Sequence, residues 1–397
     1  MKSFSELGLS KPLLQVLPEL GFENPSPIQE QSIPLLNEKP QDFIGLAQTG
    51  TGKTAAFSIP LLTKVMNNAD IYGLIVTPTR ELAVQVDAQI RMLLSSKSKI
   101  RSVVLIGGAS MDRQMQMLSK NPRIIVGTPG RIIDHLDRNS VDLSAFNFVV
   151  LDETDRMLDM GFSAPISKIF DHVATERQTL LFSATLPKGI QNASAKYLKN
   201  PTRIEIGRTN SAGKNIKQTT QFVNKEGKFD ALVKALSQHE ESAIVFMNSK
   251  FATEKLAKRL KVVGISASAI HGDLRQNKRE RVISGLRNNK FRVLIATDVA
   301  ARGIDVPHIH QVINFDLPRQ TEDYIHRIGR TGRNGAKGLA VSLATTADKG
   351  KLEEIDELLG VRTPSSSIKR GQRKTSRKKP NSQSRWRHKR KSRSKAA

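Results

Sequence analysis

The octapeptide AQTGTGKT, residues 47–54, sets a lysine and a threonine behind two glycines at the spacing of a phosphate-binding loop. In such a loop the backbone N–H groups from Gln48 through Thr49, Gly50, Thr51 and Gly52 can cradle phosphates. Lys53 reaches the terminal phosphates and the Thr54 hydroxyl ligates magnesium. The usual pattern begins with glycine, where this chain has Ala47. One methyl at the loop entry is tolerable, because Gly50 and Gly52 remain where the chain must turn tightly. A second stretch, VVLDETDRML at residues 149–158, is an apolar run that stops on acids. In phosphate-loop nucleotide hydrolases an acid at the end of a neighbouring strand holds the magnesium. Asp152 has that position, and Glu153 can orient or deprotonate the attacking water. Acids also favour helix starts, with Asp152 or Asp155 as the cap, and the two readings are compatible.

These residues need a scaffold, and the chain supplies the pattern of one. DFIGLAQTG, YGLIVTPT, SVVLIGG, RIIVGTP, FNFVVLDE and TLLFSAT read as buried strands ending in Gly, Pro, Ser, Thr or acid. Continuous apolar runs indicate parallel strands covered on both faces. The pattern pauses over GRTNSAGKNIKQ, residues 207–218, a linker candidate. It resumes with SAIVFMN, ISASAIHG, FRVLIATD, HQVINFD and GLAVSLA. Two α/β domains in tandem are expected from the 397 residues, over 1–207 and 218–360, with the linker at 208–217 and a basic tail at 361–397.

Of the net charge of +26, residues 362–397 carry +15 with no acid, leaving +11 on the rest. A polyanion is the expected partner. The tail is too poor in apolar residues to offset its ordering entropy and should be disordered when free. Trp386 inside RWRHKR could stack on a base. There is no cysteine, which excludes disulfides and thiolate metal sites. No run is long enough to span a bilayer, and the N-terminal residues lack the apolar segment of a signal peptide. A cytoplasmic protein without membrane association is expected.

The chain resembles the DEAD-box ATP-dependent RNA helicases, with closest likeness to the bacterial RhlE-like branch. The likeness covers residues 1–360 and rests on AQTGTGKT, on LDETDRMLDMGF, where Thr154 replaces the usual alanine, and on HRIGRTGR at residues 326–333. It implies two RecA-like domains and the cofactors ATP and Mg2+. GFENPSPIQ resembles the adenine-reading motif. By that likeness Phe22 stacks on the base, with Phe4 upstream, and Gln29 hydrogen-bonds its edge. Ser183 and Thr185 of SAT resemble the motif coupling hydrolysis to strand separation. ATDVAARGIDV implies ribose contact by Asp305, beside Gly303, and RNA-phosphate contact by Thr297. HRIGRTGR implies that Arg330 and Arg333 reach across a cleft to the terminal phosphate, where a planar guanidinium suits phosphate oxygens, with His326 as a further catalytic candidate.

The same resemblance implies sequence-independent RNA contacts. In the first domain these fall on Pro78, Thr79 and Arg80, on Gly107 and Gly108, and on Thr128, Pro129 and Arg131. In the second they fall on Gly272, Gln276 and Arg279. Thr154 is expected to pack its methyl as alanine would and to turn its hydroxyl to a backbone carbonyl or to the coupling motif. The implied activity is RNA-dependent ATP hydrolysis with local, non-processive unwinding, on ribosomal or RNA-decay assemblies among other targets. An ATP-dependent RNA clamp or assembly scaffold shares every one of these motifs.

Overall fold

The computed structural model describes residues 2–360 apart from 39, 49, 95–97, 186–190, 192–194, 207–214, 302, 303, 305, 307 and 333–335. Thr49, Gly303, Asp305, Arg333 and the tail with Trp386 therefore lie outside the described residues.

Two parallel sheets carry the fold. The first holds β1 (Phe43–Leu46), β2 (Gly73–Val76), β3 (Ser102–Leu105), β4 (Ile124–Gly127), β5 (Phe148–Asp152), β6 (Gln178–Ser183) and β7 (Thr202–Glu205), in the order β3-β4-β2-β5-β6-β1-β7. The second holds β8 (Ile216–Phe222), β9 (Ser242–Phe246), β10 (Ala267–Ile270), β11 (Val293–Ala296), β12 (Ile309–Asn314) and β13 (Gly338–Ala344), in the order β10-β11-β9-β12-β13-β8. Every pairing is parallel. Both sheets lie within one compact unit, Met1–Val361. Among the described residues no helix is long and apolar enough to cross a membrane.

The apolar runs explain the layering. Along a strand successive side chains face opposite sides. Ile75, Val126 and Val150 thus join Phe57, Ile59 and Leu62 of the helix Lys53–Asn67 on one face. Their neighbours Leu74, Ile125 and Val149 join Ile132, Ile166 and Ile169 on the other. The second sheet repeats this, with Val245, Ile295 and Ile313 on one side and Ile244, Leu294 and Val312 on the other. Burying each such side chain contributes about 1.5–3 kcal/mol.

The strands quoted from the sequence all form, and two more accompany them. β7 and β8 are edge strands, and β8 (IKQTTQF) is largely exposed. It is held by backbone pairing to β13 from Ile216↔Gly338 to Phe222↔Ala344, so it needs no apolar run. Because Ile216 and Lys217 belong to β8, the second domain begins inside the stretch expected as linker at 208–217. The phosphate loop follows β1, the paired acids end β5 and SAT ends β6, all at carboxyl ends of parallel strands, where open α/β sheets bind ligands.

Candidate functional site

The phosphate-loop segment follows β1 and is tied to β6 by the Ala47 N–H, which donates to the Ser183 carbonyl at 3.1 Å. Gly50 and Gly52 both have positive φ, 82° and 89°, so the glycines stand where the left-handed turn requires them. A Cβ on Gly52 would also lie 2.3 Å from Gln29 Nε2. Gln29 donates to the Gly52 carbonyl at 3.0 Å and accepts from the Ser26 N–H at 3.0 Å, joining the adenine-reading turn to the loop. Phe22 is half-buried and meets Phe4 edge-on, with centroids 6.3 Å apart. Phe4 itself is 6% exposed and belongs to the core, so it braces Phe22 from below. Thr51 Oγ1 donates to the Gln48 carbonyl at 2.7 Å, and Lys53 Nζ to the Ala47 carbonyl at 2.6 Å. Burial pushes the Lys53 pKa down, against the pull of Asp152, Asp155 and Glu153. Thr54 sits in the first turn of the helix Lys53–Asn67, whose free N–H groups suit an anion.

β5 ends on Asp152, and Glu153 follows with φ 50° and ψ 49°. A left-handed non-glycine residue costs about 1–3 kcal/mol, and here it aims two adjacent carboxylates differently. The Glu153 N–H donates to Asp152 Oδ1 at 2.9 Å, and Glu153 Oε2 accepts from Arg156 Nη1 at 2.9 Å. Burial, followed by the Glu153 charge, pushes the Asp152 carboxyl up to about 7 against the pull of Lys53. Burial also raises Glu153, but the Arg156 and Arg330 guanidiniums and Lys53 outweigh it and hold that carboxyl below its usual range. Glu153 is thus held in the ionised form, the state a proton acceptor must start from.

Thr154 does what its hydroxyl allows: Oγ1 donates to the Leu151 carbonyl at 3.1 Å and lies 3.5 Å from that of Phe182. Asp155 has a larger part. Its Oδ2 accepts from the Ala184 and Thr185 N–H groups at 3.1 and 3.0 Å and from Thr185 Oγ1 at 3.2 Å. Its own N–H donates to Ser183 Oγ, which in turn donates to the Thr185 carbonyl at 2.7 Å. The coupling residues are therefore fastened to the acid-bearing turn through Asp155. The sequence offered Asp155 as a candidate helix cap, a place that Glu153 takes in the structure, and it passed over Arg156, which is 1% exposed.

From the second sheet, the helix Glu322–Ile328 brings His326 Nε2 to 3.9 Å from Asp155 Oδ2. Burial, and then the Arg156 charge, drives the imidazole pKa well below 6.5, so this ring is neutral. Arg330 is buried, with Nε donating to the His326 carbonyl at 3.2 Å and Nη1 to that of Ile304 at 2.9 Å. Arg327 was not foreseen as a site residue. Its fork meets both Asp298 oxygens at 2.5 and 2.8 Å, it donates to Asn314 Oδ1 at 3.1 Å and to the Asp316 carbonyl at 2.6 Å, and it lies over the Phe246 ring. These bonds fix the helix that presents His326.

The expected RNA contacts divide into two groups. Arg279 and Gln276 are buried and turned to the first domain: Arg279 Nε lies 2.6 Å from Glu81 Oε1, and Gln276 Nε2 lies 3.5 Å from the same oxygen. A guanidinium matched to a buried carboxylate is satisfied there, so these two side chains form a seam between the sheets. Pro78, Thr79 and Pro129 are also buried. Thr79 Oγ1 caps its helix by accepting from the Leu82 N–H at 3.2 Å.

Arg80, Gly107, Gly108, Thr128, Arg131, Gly272 and Thr297 remain exposed or half-exposed at strand ends. Gly108 has φ 79°, which explains the glycine, and its bare Cα faces Arg80 Nη1 and Gln276 Cβ, which a Cβ would meet at 2.4 and 3.3 Å. Gln114, absent from the sequence reading, brackets Ile106 from both sides, accepting from its N–H at 3.2 Å and donating to its carbonyl at 3.1 Å. It thereby sets the strand end that leads to Gly107.

The comparisons with known proteins agree with this arrangement. The DEAD/DEAH box helicase family matches residues 26–193 and the helicase conserved C-terminal domain matches residues 227–335. The chain is 44% identical to the DEAD-box ATP-dependent RNA helicase CshA of Geobacillus kaustophilus, across 90% of this chain and 76% of that protein. It is 42% identical to the DEAD-box ATP-dependent RNA helicase RhpA of Helicobacter pylori, across 89% and 73%. Among solved structures, S. cerevisiae Dbp5 bound to RNA and ADP BeF3 superposes with a TM-score of 0.84 at 34% identity, covering 91% of this chain and 95% of that one. A DEAD box protein from Methanococcus jannaschii is 42% identical over 91% and 98% of the chains, yet superposes with a TM-score of only 0.54. The sheets thus lie to one another as in the former structure, and both are RecA-like. The chain belongs to the DEAD-box ATP-dependent RNA helicase family.

Proposed function

We propose that this protein is an RNA-stimulated ATPase whose domain closure opens short RNA duplexes locally, or remodels RNA–protein complexes, without processive translocation. The observation that carries the proposal is the seam: Arg279 on Glu81 at 2.6 Å and His326 at 3.9 Å from Asp155. Asp155 holds Ser183 and Thr185, so the same contact that closes the domains touches the residues bridging acids and coupling segment. The likeness to Dbp5 bound to RNA and ADP BeF3 supports RNA as the partner and closure as the active arrangement.

In this reading ATP lies along the phosphate loop with Phe22 and Gln29 at its base. Lys53 swings from the Ala47 carbonyl to the terminal phosphates. Glu153 takes the proton of the attacking water, and Arg330, with Arg333 outside the described residues, neutralises charge on the transferred phosphate. Gln276 and Arg279 act in closure, while Arg80, Gly108, Thr128, Arg131, Gly272 and Thr297 face RNA phosphates. Asp152 and Thr54 offer the hard oxygen donors that Mg2+ prefers, and the buried Asp152–Glu153 pair suits a cation, which would stabilise charge on the phosphates. A magnitude sets the output: stacking is worth about 1.4 kcal/mol per step, so ten pairs hold on the order of 14 kcal/mol. One closure event opens a few pairs. Motif likeness is what speaks for the RhlE-like branch, and ribosomal or RNA-decay assemblies in the cytoplasm are among the targets open to such an activity.

The test is ATP hydrolysis without nucleic acid, with single-stranded RNA and with the matching DNA, for the parent and Glu153→Gln. Stimulation by RNA alone is expected, with a loss of about 10²–10⁴ in the variant. Hydrolysis indifferent to RNA, or surviving Glu153→Gln, would overturn the assignment. A strand-displacement assay on a short and a long duplex checks the output, with only the short one expected to open.

A further inference from the structure

At the amino ends of the second sheet's strands, two imidazoles and a carboxylate converge. His239 follows the helix Lys228–Ser237, Glu241 precedes β9, and His310 is the second residue of β12. One ligand atom from each lies within 4.8 Å of the other two, and the imidazole rings have centroids 5.4 Å apart. Three further features build the place. The β12–β9 register breaks between Ile309 and Gln311, so His310 is the extra residue of a bulge, and bulges re-aim side chains. Thr331 Oγ1 lies 2.8 and 2.7 Å from the Ile309 and His310 carbonyls, fixing the bulge. Arg292 Nη2 donates to the Leu236 carbonyl at 2.6 Å, anchoring the end of the helix that leads to His239.

We propose that His239, Glu241 and His310 form a transition-metal site of the zinc class. The two imidazoles are borderline donors that favour zinc over the magnesium used with ATP, and zinc also accepts the carboxylate oxygen. Tetrahedral bonds of about 2.0–2.2 Å place ligand atoms roughly 3.4 Å apart. The side chains are half-exposed or exposed, which leaves them room to draw in to that spacing. Three protein ligands leave the fourth position to water or to a further donor.

The experiment titrates tag-free full-length protein, stripped with a chelator, with zinc chloride by calorimetry in excess magnesium. The parent, His239→Ala, Glu241→Gln and the control His172→Ala are compared. One zinc per chain is expected in the parent and the control, with affinity lowered about tenfold or more in the two site variants. Cobalt(II) should give an intense tetrahedral absorption spectrum in the parent that His239→Ala abolishes. Binding unchanged in both site variants, or a parent that takes up no zinc, would overturn the site.

Discussion

Arg279→Met keeps most of the side-chain volume and removes one charge of the 2.6 Å pair with Glu81, whose side chains are 9% and 5% exposed. Removing one partner of a buried ion pair costs about 3–5 kcal/mol, because the remaining charge stays desolvated. Glu81 has an escape, since separating the domains would rewet it. The penalty therefore falls on closure and leaves the fold of each domain intact. At about 1.4 kcal/mol per factor of ten, closure should weaken by roughly 10²- to several-thousand-fold. The assay is anisotropy of labelled single-stranded RNA, with and without ADP and beryllium fluoride, over a range of salt, together with Tm. The nucleotide-dependent gain in RNA affinity should collapse, while nucleotide-free affinity, its salt slope and Tm stay at parent values. Charge reversal, Glu81→Arg with Arg279→Glu, should restore part of the gain. A gain equal to the parent's would refute the seam. So would an equal loss with and without nucleotide accompanied by a slope smaller by about 0.7, which would make Arg279 a phosphate ligand.

Thr154→Ala removes the bond to the Leu151 carbonyl and should cost about 0.5–1.5 kcal/mol of stability, read as a lower Tm. Its ATPase rate should stay within about tenfold of the parent, equivalent to 1.4 kcal/mol at the transition state, and a larger fall would show that the hydroxyl serves the chemistry. His326 is held neutral in the closed state by burial and then by Arg156, whereas a solvated histidine titrates near about 6.5. The closed state thus binds fewer protons. Nucleotide-stimulated RNA affinity should be full above about pH 6.5 and fall below it, and His326→Gln should flatten that fall; an unchanged pH profile in the variant would contradict the assignment. Deleting residues 362–397 should lower RNA affinity and flatten its salt dependence by about 0.7 for each single-strand phosphate that the tail had neutralised, whereas an unchanged slope would show that the tail is no RNA arm.

What the sequence determined by itself is local. Gly50, Gly52, Lys53 and Thr54 lie within a few residues, and the positive φ of the glycines is a backbone demand that glycine meets without strain. Runs such as FVVLD announce strands buried on both faces because hydrophobic burial acts on each residue in turn. The polar edge strand β8 carries no such mark, since backbone pairing to β13 holds it. Tertiary structure alone decided which charges meet. Arg279 is visibly a cation in the sequence, but its partner Glu81 stands far away in the chain, and a guanidinium serves RNA phosphate or a buried carboxylate equally well. Asp155 and Arg327 reveal their parts only through what they touch on other elements, and Arg156 only through its burial beside Glu153. His239, Glu241 and His310 come together because a bulge in β12 turns one side chain towards a distant turn. Sequence carries chemical type, while burial and distance, which set each group's charge state and partner, exist only once the chain has closed on itself.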